Sequence, residues 1–354
     1  MKKSTIRVTS IMLAALIAVS GLVGVAAFAH DNENETETPE VTTTAAPEDN
    51  EGQPNNEGTA TPVPNSVPIA ENLELATYRG VPITGKFRAT DPDGDLLTFE
   101  VTKEPKKGTL TFGENGEYIY TPAEKSKGKD SFVYVAVDDK GGISASATVA
   151  IEIKKQSGKT TYADMEGNPA QYAALVLAEE EILIGDKIGA VSFFRPDSTI
   201  SRSEFLSLCM ALNGTEPLSG ITQTGFMDDA VTPTWAKSYI SAGLLSGYIG
   251  GERLDDGTLV FSGSRAITYS EAAVILNSVL DITDVTSVGS FADDLIPAWA
   301  KTASVNLLSV NVLPNSLAVI GGETVTRAQA AEMLVSAMNV LEARKTGGLF
   351  GLFK

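Results

Sequence analysis

The chain carries one cysteine, Cys209, and one histidine, His30, in 354 residues. A lone thiol excludes an internal disulfide, and its place in an apolar helical stripe reads as a small buried hydrophobe. The histidine stands outside every segment able to build a core. No folded part then has the imidazole that a Ser-His-Asp triad or a histidine-bearing zinc site needs. Cations are also scarce: 27 Lys and Arg against 45 Asp and Glu leave a formal net charge of −18. Duplex nucleic acid and anionic membrane surfaces are poor partners for such a chain. Its length fits about two to three domains.

Long apolar runs are confined to the start. Lys2, Lys3 and Arg7 precede an apolar run from Ile11 to about Val25 and then Ala27-Phe28-Ala29. This order of charge, apolar run and small-residue site predicts a secretory signal peptide over residues 1–29, cleaved before His30. A retained N-terminal anchor is the other reading, for which the run is short. Cleavage removes three cations, takes the net charge to −21 and leaves no transmembrane span in the mature chain. Residues 30–64 are mostly Glu, Asp, Thr, Pro, Asn and Gly, without Lys or Arg. With almost nothing to bury, they predict a disordered, self-repelling acidic linker.

From residue 65 to 154 the pattern changes to short alternating runs separated by turn residues: Leu73 to Tyr78, Leu97 to Val101, Gly108 to Phe112, Tyr118 to Thr121, Ser131 to Val137 and Ala145 to Ile153. Strands at this spacing predict an all-β sandwich of immunoglobulin size. In Phe132 to Val137 the aromatics share one face with Ala136 and the valines take the other, which predicts a central strand. The wording Asp91-Pro92-Asp93-Gly94-Asp95, Gly108-Thr109-Leu110, Tyr118-Ile119-Tyr120-Thr121-Pro122, Gly128-Lys129-Asp130-Ser131-Phe132 and Val137-Asp138-Asp139 resembles the cadherin-like, immunoglobulin-like repeats of bacterial surface proteins. Asp91, Asp93 and Asp95 invite calcium, because hard cations take several oxygens from a tight turn. They are not an EF-hand, since the twelfth loop position would be Thr102 instead of a bidentate Glu. The resemblance implies a site gathered from separate loops, which would add Asp138 or Asp139. A solvated Asp-Gly turn is the alternative, and no cofactor is required by either reading.

The C-terminal half says one phrase three times: Ile200-Ser201-Arg202-Ser203-Glu204, Ile267-Thr268-Tyr269-Ser270-Glu271 and Val325-Thr326-Arg327-Ala328-Gln329. Each predicts a helix entrance in which a hydroxyl caps the N–H three residues on and the Glu or Gln reaches back. The helices that follow share a stripe: Phe205, Leu208, Cys209 and Leu212; Ala272, Ile275, Leu276 and Val279; Ala330, Met333, Leu334 and Ala337. A second phrase recurs upstream as Tyr162-Ala163-Asp164, Phe226-Met227-Asp228 and Phe291-Ala292-Asp293, its aspartates 64 and then 65 residues apart. Such a fixed period marks a repeat architecture. Tyr172-Ala173, Trp235-Ala236-Lys237 and Trp299-Ala300-Lys301 open a further helix in each unit.

This order resembles the S-layer homology domain in its usual set of three, predicted here at residues 160–214, 222–282 and 288–345, with 346–354 as a tail that is a frayed end or a small hydrophobic docking point. The resemblance implies an all-α, helix-loop-helix pseudo-threefold trimer. Its grooves would hold an anionic, often pyruvylated, cell-wall polysaccharide or peptidoglycan-linked polymer, placing the secreted chain on the cell wall or surface (S-layer). The sandwich would then be displayed, or would act as an adhesin or S-layer structural module with a protein or glycan partner.

An Arg at the first helical position meets the positive end of the macrodipole. Folding alone is not expected to choose Arg202 and Arg327, whereas a planar fork beside free N–H groups suits an oxyanion. A surface Arg, or one paired with a neighbouring Asp, is the plainer reading. The resemblance adds Glu204, Trp235, Tyr269, Glu271 and Trp299 to the polysaccharide-binding set. Without it, Trp235 and Trp299 are expected to pack as core, and Asp228 and Asp293 to cap loops. Four departures mark the units as unequal: Tyr269 for Arg, Tyr172 for Trp, Gln329 for Glu, and Val310 for the glycine at Gly185 and Gly247. One or two working grooves are expected. No constellation for catalysis emerges, so a non-enzymatic protein is expected.

Overall fold

The computed structural model describes residues 64–113, 116–283, 296–313 and 322–345. The expected signal peptide, the acidic linker to residue 63, Phe291-Ala292-Asp293 and the C-terminal tail lie outside them.

The β-rich half comprises β1 (Ile69–Ala70), β2 (Leu73–Tyr78), β3 (Ile83–Lys86), β4 (Ala89–Thr90), β5 (Leu97–Lys103), β6 (Gly108–Phe112), β7 (Glu117–Pro122), β8 (Gly128–Asp138) and β9 (Ala147–Lys154). They form a four-stranded sheet in the order β2-β9-β8-β5, a three-stranded sheet β3-β7-β6 and a short β1-β4 pair. The expected central strand is β8, flanked by β9 and β5. Its Phe132, Tyr134 and Ala136 are fully buried. Phe87 packs against Tyr134 and Tyr118, with ring centroids 4.5 and 4.7 Å apart. Along β9 the pattern alternates strictly, with Ala147, Val149, Ile151 and Ile153 inside. β2 runs parallel to β9, so both end beside the helical half.

That half holds α1 (Gln171–Glu179), the hairpin β10 (Asp186–Ile188) and β11 (Val191–Phe193), α2 (Arg202–Asn213), α3 (Thr234–Leu245), the hairpin β12 (Glu252–Arg253) and β13 (Leu259–Val260), α4 (Tyr269–Leu280), α5 (Lys301–Ser309) and α6 (Arg327–Lys345). The three predicted entrances begin α2, α4 and α6. Ser201–Glu204 and Thr268–Glu271 close full capping boxes. Thr326 and Gln329 exchange the same two bonds, at 2.8 and 3.3 Å. The predicted stripes are buried apart from the half-buried Leu212. Burial pushes the Cys209 thiol up, in keeping with an inert core residue.

The lead-in residues of the three entrances bind one another in a closed ring. Ile200 N–H donates to Val325 O, Ile267 N–H to Ile200 O, and Val325 N–H to Ile267 O, at 3.1, 2.9 and 2.9 Å. Around this ring α2, α4 and α6 meet, while α3 packs on α2, α5 on α4, and α1 on α6. Each outer helix leans on the inner helix of the preceding unit, and the first closes on the last.

One assignment from the sequence is corrected. Gly247 does not correspond to Gly185 and Val310. The residues just past α1, α3 and α5 are Glu181, Gly247 and Asn311, all left-handed with φ of 58°, 75° and 58°. In each case the next N–H returns to a carbonyl of the last helical turn, as Ile182 to Leu177, Tyr248 to Gly243 and Val312 to Leu307. Gly185 instead matches Gly251. A Cβ at Gly185 would lie 2.7 Å from Tyr162, and one at Gly251 2.4 Å from Phe226, so the aromatics of the first two aromatic-x-Asp phrases lie against a glycine.

Candidate functional site

The first two aromatic-x-Asp phrases and the helix entrances converge on the same places. Asp164 accepts from the N–H groups of Phe194 and Arg195, and Asp228 from those of Phe261 and Ser262, at 2.7 to 3.0 Å. Arg195 and Ser262 are both left-handed, so each carboxylate fixes a kink after a phenylalanine. The kink presents the Phe carbonyl and ring to an arginine from another unit. Arg202 donates Nε–H to Phe261 O at 3.0 Å and stacks 4.9 Å above its ring. Arg327 makes the same pair with Phe194, at 2.8 and 5.2 Å. Asp228 is thus a loop cap, as expected. Phe194 and Phe261 were missed, although each stands eight residues before its unit's entrance arginine or tyrosine.

The two arginines then diverge. Arg202 is buried, and its terminal nitrogen meets Glu271 at 2.7 Å. Glu271 also takes Arg265 at 2.6 Å and the Thr268 N–H at 3.0 Å. Burial pushes the Glu271 carboxyl up, but the bonds from Arg265 and Thr268 and the Arg202 charge outweigh it and hold it below its ordinary range. The expectation that folding has no use for Arg202 is therefore overturned. Its guanidinium ties two units together, and that tie outweighs the mild dipole penalty at a helix start. Arg327 is half-buried, and no carboxylate lies within ion-pair range of it among the described residues. Glu204 is occupied by its own cap, accepting from Ser201 N–H and Oγ–H at 2.9 and 2.7 Å.

Tyr269 stands where the third arginine would be. It is buried, with a hydroxyl that has no partner among the described residues. Trp235 is half-buried on the core, edge-on to Tyr239. Trp299 is 61% exposed, against the expectation that it packs as core. Lys237 is held by Asp229 at 2.6 Å and by Thr222 O. Tyr172 packs edge-on to Tyr78 of the sandwich, 5.1 Å between centroids, so this departure from Trp serves a junction that the other units lack.

In the sandwich, ligand atoms of Asp91, Asp93 and Asp95 lie within 4.8 Å of one another. Asp91 Oδ1 accepts from the N–H groups of Asp93 and Asp95, Asp93 accepts from Ser66, and Asp95 Oδ1 meets Lys140 at 2.8 Å. Asp91 Oδ2 and Asp95 Oδ2 are buried without a partner among the described residues, so the donor set fits a cation. Asp138 lies outside this cluster. Its oxygens are spent on Asn65 Nδ2 and the N–H groups of Lys140 and Gly142, because it closes the turn after β8.

Residues 65–155 match the bacterial cadherin-like domain family. They form a bacterial cadherin-like domain. Solved structures resemble a part of the chain. An endo-fucoidan hydrolase of glycoside hydrolase family 107 is 20% identical over 27% of this chain and 14% of its own, with a TM-score of 0.23. The SrpA adhesin of Streptococcus sanguinis is 20% identical over 29% of this chain and 63% of its own, with a TM-score of 0.20. The titin M3 domain is 12% identical over 25% and 97%, with a TM-score of 0.17. Among curated proteins none matches. The helical half lies beyond the cadherin-like match, and its likeness to S-layer homology domains rests on its motifs. Among the described residues no helix is long and apolar enough to cross a membrane. Leu96 and Ile143, beside the Asp turn, are exposed at 78% and 58% and give that end of the cadherin-like domain an apolar rim.

Proposed function

We propose that the chain is a non-catalytic bacterial surface protein whose helical half holds an anionic, pyruvylated or otherwise carboxylate-bearing, wall polysaccharide and whose cadherin-like domain is displayed. In this reading the helical half is a pseudo-threefold trimer of S-layer homology repeats. The observation that carries it is the inequality of the two arginines. Arg202 has its carboxylate in Glu271. Arg327 has the same Phe carbonyl and ring but no ion-pair partner among the described residues, so its terminal nitrogens suit a ligand oxyanion. The working groove is therefore assigned to Arg327, Phe194 and Tyr162, with exposed Trp299 as a separate stacking face.

Co-sedimentation with purified cell walls tests this. Arg327→Ala is expected to weaken binding at least tenfold with the melting temperature little changed, a loss of about 1.4 kcal/mol or more. Parental binding by this variant would sink the groove assignment, and turnover of a wall polymer by the parent would sink the non-catalytic reading. A second reading, adhesion through the cadherin-like domain, is favoured by the apolar rim beside the Asp turn. It predicts that Leu96→Ser with Ile143→Ser abolishes cell–cell or matrix attachment while wall binding persists. Calcium at Asp91, Asp93 and Asp95 would rigidify the turn below that rim.

A further inference from the structure

The other end of the cadherin-like domain carries a charge pattern opposite to the rest of the chain. The loop after β5 holds Lys106 and Lys107, and the loop before β8 holds Lys125 and Lys127. The two loops are stitched together: Ala123 N–H donates to Lys107 O at 2.9 Å, and Lys107 Nζ donates to Lys127 O at 2.8 Å. The nearest fixed carboxylate, Asp130, is buried. It is consumed by the N–H groups of Lys106 and Lys107 and by the Tyr120 hydroxyl, at 2.8 to 3.0 Å. Glu104 and Glu124 flank the loops, yet no ion pair joins any of the four lysines to a carboxylate among the described residues. Lys106, Lys125 and Lys127 are exposed.

Holding four like charges on two adjoining loops costs self-repulsion and gives this fold no compensating pair. In a chain of net charge −18 the patch is a local inversion of sign. Its position gives it a use. Gly128, at the head of β8, pairs with Ile153 near the end of β9, the strand that leads into the helical half. The lysine loops therefore lie at the end of the sandwich next to the proposed polymer-binding body. The Asp turn lies at the other, past the eleven residues of β8.

We propose that these loops are a second contact for the same anionic wall polymer, gripping its backbone charge without reading its sugars. This rests on the anchoring reading above. The lysine ammonium is a mobile point charge, suited to a repeating polyanion, whereas the fixed fork of Arg327 suits one terminal carboxylate. Two contacts on one polymer raise avidity through effective concentration.

The test uses the full exported chain carrying Lys106→Gln, Lys107→Gln, Lys125→Gln and Lys127→Gln together, with purified wall polysaccharide at a series of salt concentrations. By counterion release the slope of log affinity against log salt should flatten by about 3, with roughly tenfold weaker binding at low salt and convergence with the parent at high salt. The melting temperature should fall only slightly, since Lys106, Lys125 and Lys127 are exposed and Lys107 alone gives up a bond, to Lys127 O; the triple variant that keeps Lys107 should melt like the parent and still flatten the salt slope by about 2. Arg327→Ala should instead weaken binding at every salt concentration. A quadruple variant with the parental slope would overturn the patch while leaving the groove standing. Loss confined to Arg327→Ala would say the same. If neither variant changes binding, the anchoring reading itself falls. Polyglutamate as a soluble probe should bind the Arg327→Ala chain and not the quadruple variant, and equal binding to both would also overturn the patch.

Discussion

Arginine at a helix start is a poor choice for a helix in isolation, and Arg202 shows what outweighs it. The side chain leaves its own helix to meet a carbonyl, a ring and a carboxylate of the next unit. Removing it would strand Glu271 with one cationic partner. Arg202→Ala is therefore expected to cost roughly 2–4 kcal/mol, read as a lowered unfolding midpoint in urea, while Arg327→Ala costs about 1 or less. Equal losses would mean that the ion pair contributes little. The same logic unites two of the departures. By the order of the ring, Tyr269 faces the unit whose capping residue is Gln329, so the missing cation and the missing carboxylate fall on one interface. A smaller gain is available at Glu181, which is exposed in a left-handed conformation that Gly247 adopts freely. Glu181→Gly is expected to raise stability by roughly 0.5–1 kcal/mol, checked by the same unfolding curve.

The elements were legible to different depths, for physical reasons. β2 and β6 could be read to the residue because a half-buried strand writes its period directly into sequence. The three entrances were equally plain, since a capping box needs named side chains at fixed spacing. What sequence did not disclose was partnership. The Phe194 and Phe261 contacts depend on a carbonyl, which any residue supplies, and on a kink set by an aspartate 30 or 33 residues before the phenylalanine. Likewise the resemblance added Asp138 or Asp139 to the turn at Asp91, whereas the clustered carboxylates are Asp91, Asp93 and Asp95, and the Asp138 oxygens accept from Asn65, Lys140 and Gly142, partners that composition does not reveal. The Asp turn now makes its own prediction. Calcium at ten times its dissociation constant should stabilise the cadherin-like domain by about 1.4 kcal/mol, seen as a higher melting temperature that chelator reverses. Asp91→Asn should remove the effect and Lys140→Ala should strengthen it, because Lys140 competes for Asp95. No shift at millimolar calcium would leave the cluster a plain Asx turn.

At the scale of the molecule, the junction between sandwich and helices decides how rigidly the cadherin-like domain is held. Glu179, at the end of α1, is the hinge pin. Its Oε1 accepts from the N–H groups of Ser157 and Gly158 at 3.0 and 2.7 Å. Its Oε2 accepts from Tyr78 at 2.7 Å and the Ser157 hydroxyl at 2.9 Å. Those four donors come from the sandwich and the connecting segment, and Tyr172 packs against Tyr78 alongside. Burial pushes the Glu179 carboxyl up, but the bonds from Gly158, Tyr78 and Ser157 win, so its folded value lies below the ordinary 4.5. A depressed carboxyl contributes stability that is present above its unfolded value and is lost as pH falls through its folded value. The junction should therefore be tight at pH 7 and loosen in acid, as pH falls through the depressed folded value of this carboxyl. Because other carboxylates titrate in the same window, the informative quantity is the gap between parent and Glu179→Gln. The amide must turn its NH2 towards groups that are themselves donors, so at neutral pH the variant should lose roughly 1–3 kcal/mol of junction stability. Small-angle scattering should then show a broader distribution of sandwich-to-helix distances for the variant at pH 7. The two proteins should become alike as acid protonates Glu179 in the parent. Identical scattering at pH 7 would mean that Tyr78, Tyr172 and the connecting segment hold the junction without the charge.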